Sequence, residues 1–305
     1  MTLLLKIKKS IKKKYTVTSS IDVTKQKTNQ HMLRLLNLEL QKLWLNKTSK
    51  VLIFISFILP FTVLILSSIK INFFGFFTLE LGELGIFNFP IIWHITTFFA
   101  SYFKFFFAIV VVSMISNEYS NKTLKQNLID GLSKKEFILS KFYTIVFFSL
   151  AATLLIGVAT FLIGMYYSSY TEATIIFREI EFLLAYFTKL LGFFSLCLFF
   201  GMLLKRSAFA LAFLFVTWIV ELIIYGLMEW KIDSDLADKI FNFFPIQSMY
   251  KLIDQPVQRI VMTKFPEKTD IAYDYAVHWH EITIVLGWTA LFVFLSYRLL
   301  KKRDL

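Results

Sequence analysis

Long apolar stretches separated by shorter polar ones dominate the pattern of this chain. A helix rises about 1.5 Å per residue and the hydrocarbon core of a membrane is about 30 Å thick, so roughly 20 apolar residues can cross it. Six stretches have this character: 51–69, 91–116, 142–165, 182–204, 208–227 and 282–297. The last is short by one turn, but Trp279, Trp288 and a basic tail can anchor it. Residues 51–305 are therefore predicted to form an all-α polytopic membrane domain with six transmembrane helices.

Composition agrees with that prediction and removes other classes of protein. Apolar residues make up 57% of the chain and 36 of its 305 residues are Phe, which is more apolar surface than a soluble domain carries. The formal net charge of +12 falls to +5 without residues 1–31, which hold eight lysines and one aspartate. Such local charge predicts a basic, disordered leader on an anionic lipid surface and no nucleic-acid partner. Alternatively, synthesis begins at Met32.

Basic residues collect in alternate connections between the apolar stretches, and short loops rich in Lys and Arg mark the cytoplasmic side. They lie before the first stretch, in 117–141, in the tight fourth-to-fifth connection and in the tail. The other connections are acidic or mixed, with Glu80 and Glu83 in one, Glu172 in the next, and nine acids against six bases in the extracellular loop 228–281. Both termini are therefore predicted to be cytoplasmic.

An amphipathic pattern occupies residues 32–50, ahead of the first stretch. Its Leu, Glu, Gln and Lys residues favour a helix. The apolar residues that share one helical face are Leu33, Leu36, Leu40, Leu43 and Trp44. Arg34 and Lys42 fall largely elsewhere, which predicts an N-terminal helix lying in the membrane interface. The alternative is a ragged extension of the first transmembrane helix.

Residues 117–135 interrupt two of the most apolar stretches with polar ones. Ser120 or Asn121 can cap a short helix with an apolar strip formed by Leu124, Leu128 and Ile129. Gly131 supplies the left-handed turn that ends it. Ser133 has the spacing of a capping box with Glu136, which starts a second helix that continues into the third span. We expect a short helix across the end of a transmembrane hairpin that presents its leucines to a cytoplasmic partner, or alternatively one that floats on lipid.

This segment resembles the loop between the second and third spans of type-2 permeases of ATP-binding-cassette (ABC) transporters. The resemblance extends to the architecture of residues 32–305, although Lys134 stands where that family often has Arg and the leader 1–31 has no counterpart in the family pattern. The residues that carry it are Glu118, Lys122, Thr123, Leu124, Leu128, Ile129, Asp130, Gly131, Leu132 and Ser133.

The resemblance implies that 117–135 is the coupling helix, which docks on an ABC ATPase subunit. It also implies a second permease subunit, as homodimer or heterodimer, and a multi-pass location in the bacterial cytoplasmic membrane. ATP and Mg would be bound by the partner ATPase, because this chain has no G-x-x-x-x-G-K-[ST] and no cofactor of its own is expected. The expected function is an exporter, not an enzyme, for an unidentified hydrophobic or amphipathic substrate.

Three charges fall inside the predicted spans: Lys104, Lys189 and Glu221. Each costs about 2.5 to 3.5 kcal/mol at a helix centre unless it is paired or hydrated. We expect Glu221 to pair with one of the two lysines, either structurally or in the translocation path. The second reading makes the chain an ion- or proton-coupled carrier, but the paired broken helices expected of such carriers are missing. An intramembrane enzyme is disfavoured, since no catalytic groups converge.

The loop 228–281 contains an apolar, aromatic segment that Pro245 and Pro256 break into pieces too short to cross the membrane. It is expected to form short helices that dip into the outer leaflet, as in the same permease family, or else a plain interfacial loop. His278 and His280 are two residues apart without a third ligand nearby, so no metal site is predicted.

Overall fold

The computed structural model describes residues 33–67, 71–73, 77–79, 85–170, 172–264 and 274–303. The leader 1–31, Glu80 and Glu83 lie outside these residues. Within them, six helical segments are long and apolar enough to cross a membrane. They are Lys47–Ser67, Ile91–Ser120, Lys134–Tyr167, Ala173–Leu204, Ser207–Lys231 and Trp279–Lys302. The predicted all-α polytopic fold is confirmed.

Thirteen helices and one hairpin make up the described part of the chain. The first helix, α1, covers residues 33–45. The others are α2 Lys47–Ser67, α3 Ile91–Ala100, α4 Lys104–Ser120, α5 Thr123–Ile129, α6 Lys134–Tyr167, α7 Ala173–Ile176, α8 Glu181–Leu204, α9 Ser207–Lys231, α10 Ser234–Phe241, α11 Pro245–Lys251, α12 Val257–Lys264 and α13 Trp279–Lys302. The hairpin pairs β1, Ile71–Phe73, antiparallel with β2, Phe77–Leu79, and was not predicted.

Helix α8 forms the centre of the bundle and packs against α3, α4, α6, α9 and α13. In its membrane-crossing segment 78% of the residues are buried, against 17% for α9. Two glycines permit the close packing, because a Cβ at Gly192 would lie 2.7 Å from Val285 of α13 and one at Gly201 would lie 3.0 Å from Ile115 of α4. The fourth span therefore forms the core of the bundle, against which the neighbouring helices pack.

The second and sixth spans differ in detail from their predictions. A 3-10 turn, Ser101–Phe103, separates α3 from α4 and places Lys104 at the start of α4. Helix α13 has 24 residues, so the expected shortfall of one turn is wrong. It begins three residues earlier and ends five residues later than the apolar stretch 282–297, because its polar ends are also helical.

The chain connections bring α1, the α4–α6 connection and the last turn of α13 to the same end of the bundle, which we call the elbow end. Lys134 Nζ donates hydrogen bonds to the backbone oxygens of Lys301 and Arg303, at 3.4 and 2.9 Å. Lys205, in the turn between α8 and α9, lies over the ring of Tyr119 at 5.7 Å. Basic segments that are far apart in the sequence therefore lie close together at the elbow end.

Candidate functional site at the elbow

The elbow, residues 117–135, turns the chain from α4 through α5 into α6. Lys122 begins the turn at φ +57° and Gly131 ends it at φ +99°, so the predicted left-handed glycine is confirmed. The predicted cap at Ser120 or Asn121 is wrong, because α5 begins after Lys122 without a side-chain cap. Its first residue, Thr123, uses its hydroxyl elsewhere, as described below.

The start of α6 has the capping box that the sequence predicts. Ser133 Oγ accepts a hydrogen bond from the Glu136 backbone nitrogen at 3.1 Å, and Glu136 Oε2 accepts one from the Ser133 backbone nitrogen at 2.8 Å. Two otherwise unpaired N–H groups of the helix start are satisfied by this exchange. Together with Gly131 it gives the elbow a defined exit direction.

Most of the apolar strip of α5 faces the protein, which corrects the expectation that its leucines face a partner. Leu124 is 2% exposed, and Leu128 and Leu132 are half-buried against the core. Ile129 is 75% exposed, and the C-cap residue Asp130 is also exposed. The leucines therefore hold the elbow on the bundle, and Ile129 is the residue of the predicted apolar strip that stays accessible.

Three buried charges and the more exposed Lys42 form a closed ring of alternating sign beneath the elbow. Lys42 Nζ lies 2.9 Å from Glu118 Oε1 and 3.5 Å from Glu39 Oε1. Lys141 Nζ lies 2.8 Å from Glu118 Oε1 and also donates to Glu39 Oε2. Each carboxylate thus contacts both ammonium groups. We call Glu39, Lys42, Glu118 and Lys141 the charge ring.

The charge ring joins three helices, and side chains of α5 attach the elbow to it. Thr123 Oγ1 donates to Glu118 Oε2 at 2.6 Å, and Asn127 Nδ2 donates to the same oxygen at 3.2 Å. Glu118 therefore accepts hydrogen bonds from α1, α5 and α6 while it belongs to α4. Moving α5 away from Glu118 would therefore break charge-assisted hydrogen bonds.

The two carboxylates favour the charged form of Lys42. Burial alone would lower the pKa of Lys42, but Glu39 and Glu118 together raise it above its ordinary value. Lys141 has no exposed surface, and two carboxylates compensate its charge. The ring carries no net charge, which is the arrangement that a low-dielectric site tolerates.

Helix α1 packs against the bundle through Leu35, Glu39 and Leu43, at a spacing of four. Leu33 and Trp44, from the apolar face predicted to lie in the membrane interface, are 54% and 55% exposed. The interfacial position of that face stays a prediction. A carboxylate thus lies in the middle of the face of α1 that contacts the bundle.

Sequence reasoning selected Glu118 and Thr123 but missed Glu39, Lys42 and Lys141 as site residues. The sequence did carry a signal for Glu39. It lies four residues after Leu35 and four before Leu43, and a glutamate between two leucines on the buried face of a helix requires a cation from another element. Lys141 carried a signal as well, because it directly precedes Phe142, where the apolar stretch of the third span begins. Both were interpreted only as part of the charge distribution.

Arg303 ties the end of the chain to this region. Its Nη1 donates to Tyr119 Oη at 2.8 Å and to the Met202 backbone oxygen at 2.6 Å, and its Nη2 donates to the Leu203 backbone oxygen at 3.2 Å. The two carbonyls belong to the last turn of α8, where helix carbonyls lack partners and a cation is favourable.

The three charges predicted inside the spans do not pair as expected. Glu221 accepts hydrogen bonds from the backbone nitrogens of Ile246 and Gln247, at 3.0 and 3.1 Å, so its predicted pairing with a lysine is wrong. Lys189 Nζ donates to the Tyr250 backbone oxygen at 3.4 Å. Lys104 Nζ lies 4.5 Å from the centre of the Phe193 ring. Backbone dipoles and aromatic faces take the place of the expected ion pair.

Comparison with known families places the chain in a transporter family. The sequence model described as "ABC-2 family transporter protein" matches residues 7–305. The match includes residues 7–31, so the expectation that the leader has no counterpart in the family is wrong for those residues. No curated protein matches the chain.

Proposed function

The chain belongs to the ABC-2 family of transporter proteins, and from this premise we propose that it is the permease subunit of an ATP-driven exporter. A separate ATPase subunit, which binds ATP and Mg, docks on the elbow and supplies the energy. A second permease subunit completes the pathway in a bacterial cytoplasmic membrane. The apolar, aromatic interior of the bundle suits a hydrophobic or amphipathic substrate.

The charge ring is the observation that carries this proposal. A loop that merely reverses the chain needs no buried ionic contact to three helices, and burying the charges of Glu39, Glu118 and Lys141 costs free energy that ordinary apolar packing would not. Here Glu118 holds α5 and also contacts Lys42 of α1 and Lys141 of α6. Force applied to the elbow is therefore shared among the second span, the third span and α1 rather than absorbed by a flexible loop.

The basic residues at the elbow end support a cytoplasmic orientation for that end. Lysines and arginines that lie far apart in the sequence, including Lys134, Lys205 and Arg303, meet there. By the charge rule this end faces the cytoplasm, where an ATPase has access to ATP. Both described ends of the chain, α1 and the last turn of α13, lie on that side.

Docking can be tested at Ile129, whose side chain is 75% exposed and so can change without disturbing the core. The tagged chain is purified from its host in mild detergent, and copurifying ATP hydrolysis is measured. We expect Ile129→Asp to remove most of that ATPase activity. Ile240→Asp, on the exposed face of α10 at 45% exposure, is the matched control and should retain it.

Two results would contradict the proposal. One is equal ATPase recovery with the Ile129 and Ile240 variants, which would move the docking surface away from the elbow. The other is substrate movement by the purified chain alone, in vesicles without ATP and driven by an ion gradient, which would make it a secondary carrier.

A further inference from the structure

An apolar groove of about 660 Å³ opens on the side of the bundle at the elbow end. It runs between α1, the first half of α2 and α6, and its walls include Leu40, Trp44, Phe54, Phe57 and Phe147. Trp44, Phe54 and Phe147 keep 55%, 45% and 41% of their surface exposed. The volume is that of an ordinary ligand pocket, about 300 to 1,000 Å³.

The groove lies within the depth of one leaflet of a membrane. Its lining residues on α2 are Ile53, Phe54 and Phe57, which at about 1.5 Å per residue lie roughly 9 to 15 Å along the helix from Lys47, within half of the hydrocarbon thickness of about 30 Å. The groove therefore begins below the level of Lys47 and Lys50 and opens sideways to the hydrocarbon. An extended alkyl chain that enters at the interface fits this path.

The mouth of the groove is cationic. Lys50 Nζ lies 4.6 Å from the centre of the Trp44 ring, which forms part of the wall. Lys47 is exposed one turn earlier on the same helix. The amides of Asn37 and Gln41 complete the polar rim on α1. Lysines at this level attract anionic headgroups, while the groove below accepts only apolar groups.

We propose that this groove binds one acyl chain of an anionic phospholipid, with the phosphate at Lys47 and Lys50. The site requires only that α2 and α6 cross a membrane, so it is independent of ATP-driven export. Leu43 lines the groove on the same helix as Glu39 and Lys42. The bound chain thereby supports the helix that carries half of the charge ring.

Photolabelling with two lipid probes tests the site. The full chain is reconstituted in vesicles of phosphatidylcholine with a minority of phosphatidylglycerol, and either lipid carries a mid-chain diazirine. We expect the phosphatidylglycerol probe to label peptides containing Trp44, Phe54 and Phe57 roughly fivefold more than the phosphatidylcholine probe, which corresponds to the ~1 kcal/mol that one lysine contributes at an anionic surface. Lys50→Gln should remove most of that preference, and Lys231→Gln at the far end of α9 should leave it.

A second variant separates the groove from the general lipid surface. Leu40→Trp should fill the groove and lower labelling by both probes, while Val216→Trp, on the exposed face of α9, should not. Equal labelling of the groove by both probes in the unmodified chain overturns the proposal whether or not any variant folds. The proposal is also overturned if the groove is labelled no more strongly than the surface around Phe215 of α9. A cross-link through Phe54 to a second copy of the chain would overturn it as well.

Discussion

Lys141 has no exposed surface, yet its ammonium group meets carboxylates from two other helices, Glu39 of α1 and Glu118 of α4. Removing one partner from such a buried set is far more costly than the set itself is stabilising, because an uncompensated charge remains. Lys42 is the more exposed lysine, with 44% of its side chain accessible, and can be hydrated when the ring is disturbed. Lys141 cannot, so its removal is expected to cost more stability than the removal of Lys42.

We predict that Lys141→Met lowers the free energy of unfolding by about 3 to 5 kcal/mol, since Glu39 and Glu118 would then share Lys42 alone. Reversible unfolding in detergent, followed by tryptophan fluorescence, measures the change. Lys135→Met is the control, because Lys135 is exposed and its loss should stay within about 0.5 kcal/mol.

The double variant Glu39→Gln with Lys141→Met tests whether the ring acts as a unit. It leaves Lys42 and Glu118 as a neutral pair, so we expect it to recover roughly 0.5 to 3 kcal/mol relative to the sum of the single variants. Strictly additive losses would show that the four side chains are independent neighbours.

Gly131 offers a separate test of backbone conformation. A Cβ there would have no neighbour within 4 Å, so Gly131→Ala introduces no clash, and only the φ of +99° opposes it. We predict a loss of about 1 to 2 kcal/mol. Gly226→Ala in α9 also has open space but a helical backbone, and should instead be neutral or stabilise by up to ~1 kcal/mol. Equal effects in the same unfolding assay would remove the strain argument.

At the scale of single elements, Glu221 shows how a charge in a span can serve the backbone. Helix α11 begins at Pro245, and its next two backbone nitrogens, of Ile246 and Gln247, donate to the carboxylate of Glu221 on α9. A side chain of one helix thus does the work of an N-cap for another, because Phe244 at the N-cap of α11 offers no acceptor. The contact holds a loop helix against the fifth span.

Glu221→Gln should loosen α11 without unfolding the bundle. An amide supplies one acceptor oxygen instead of two and no charge, so we predict roughly tenfold faster hydrogen exchange at Ile246 and Gln247, as expected for the loss of about 1.5 kcal/mol of charge-assisted bonding. Glu229→Gln, on the exposed surface of α9, should leave exchange at those amides unchanged. Unchanged exchange in the Glu221 variant would mean that Pro245 alone fixes the start of α11.

The sequence predicted elements whose cause is local and missed those whose cause is a contact. The six spans follow from apolar length, and the capping box at Ser133 and the turn at Gly131 follow from the residues themselves. The packing of Glu39 against the bundle depends on Lys141 of α6, and the start of α5 depends on the hydrogen bond from Thr123 to Glu118. Apolar periodicity alone contains neither contact.

For the molecule as a whole, Arg303 connects the end of the chain to the centre of the bundle. Its guanidinium joins the C-terminal carbonyls of α8 to Tyr119 at the end of α4. Helix α8 packs against most other spans, so a restraint at its last turn is passed to them. Two sets of contacts therefore hold the helices together at the elbow end: the charge ring and the hydrogen bonds of Arg303.

Arg303→Ala should weaken the contact between the end of α8, Tyr119 and the last turn of α13. It removes charge-assisted hydrogen bonds worth about 1.5 to 3 kcal/mol and leaves the last carbonyls of α8 to water. We predict lower thermal stability and faster hydrogen exchange in residues 202–206, with Arg298→Ala, an exposed arginine one turn earlier, as the control. The same loss in both variants would point to general surface charge instead.

The neutrality of the charge ring has a consequence for energy supply. An elementary charge that moves through the membrane potential exchanges about 2.3 kcal/mol per 100 mV with the electric field. Two positive and two negative groups that shift together move no net charge. We therefore predict that ATP-driven transport by the proposed complex shows no voltage dependence originating in these four side chains.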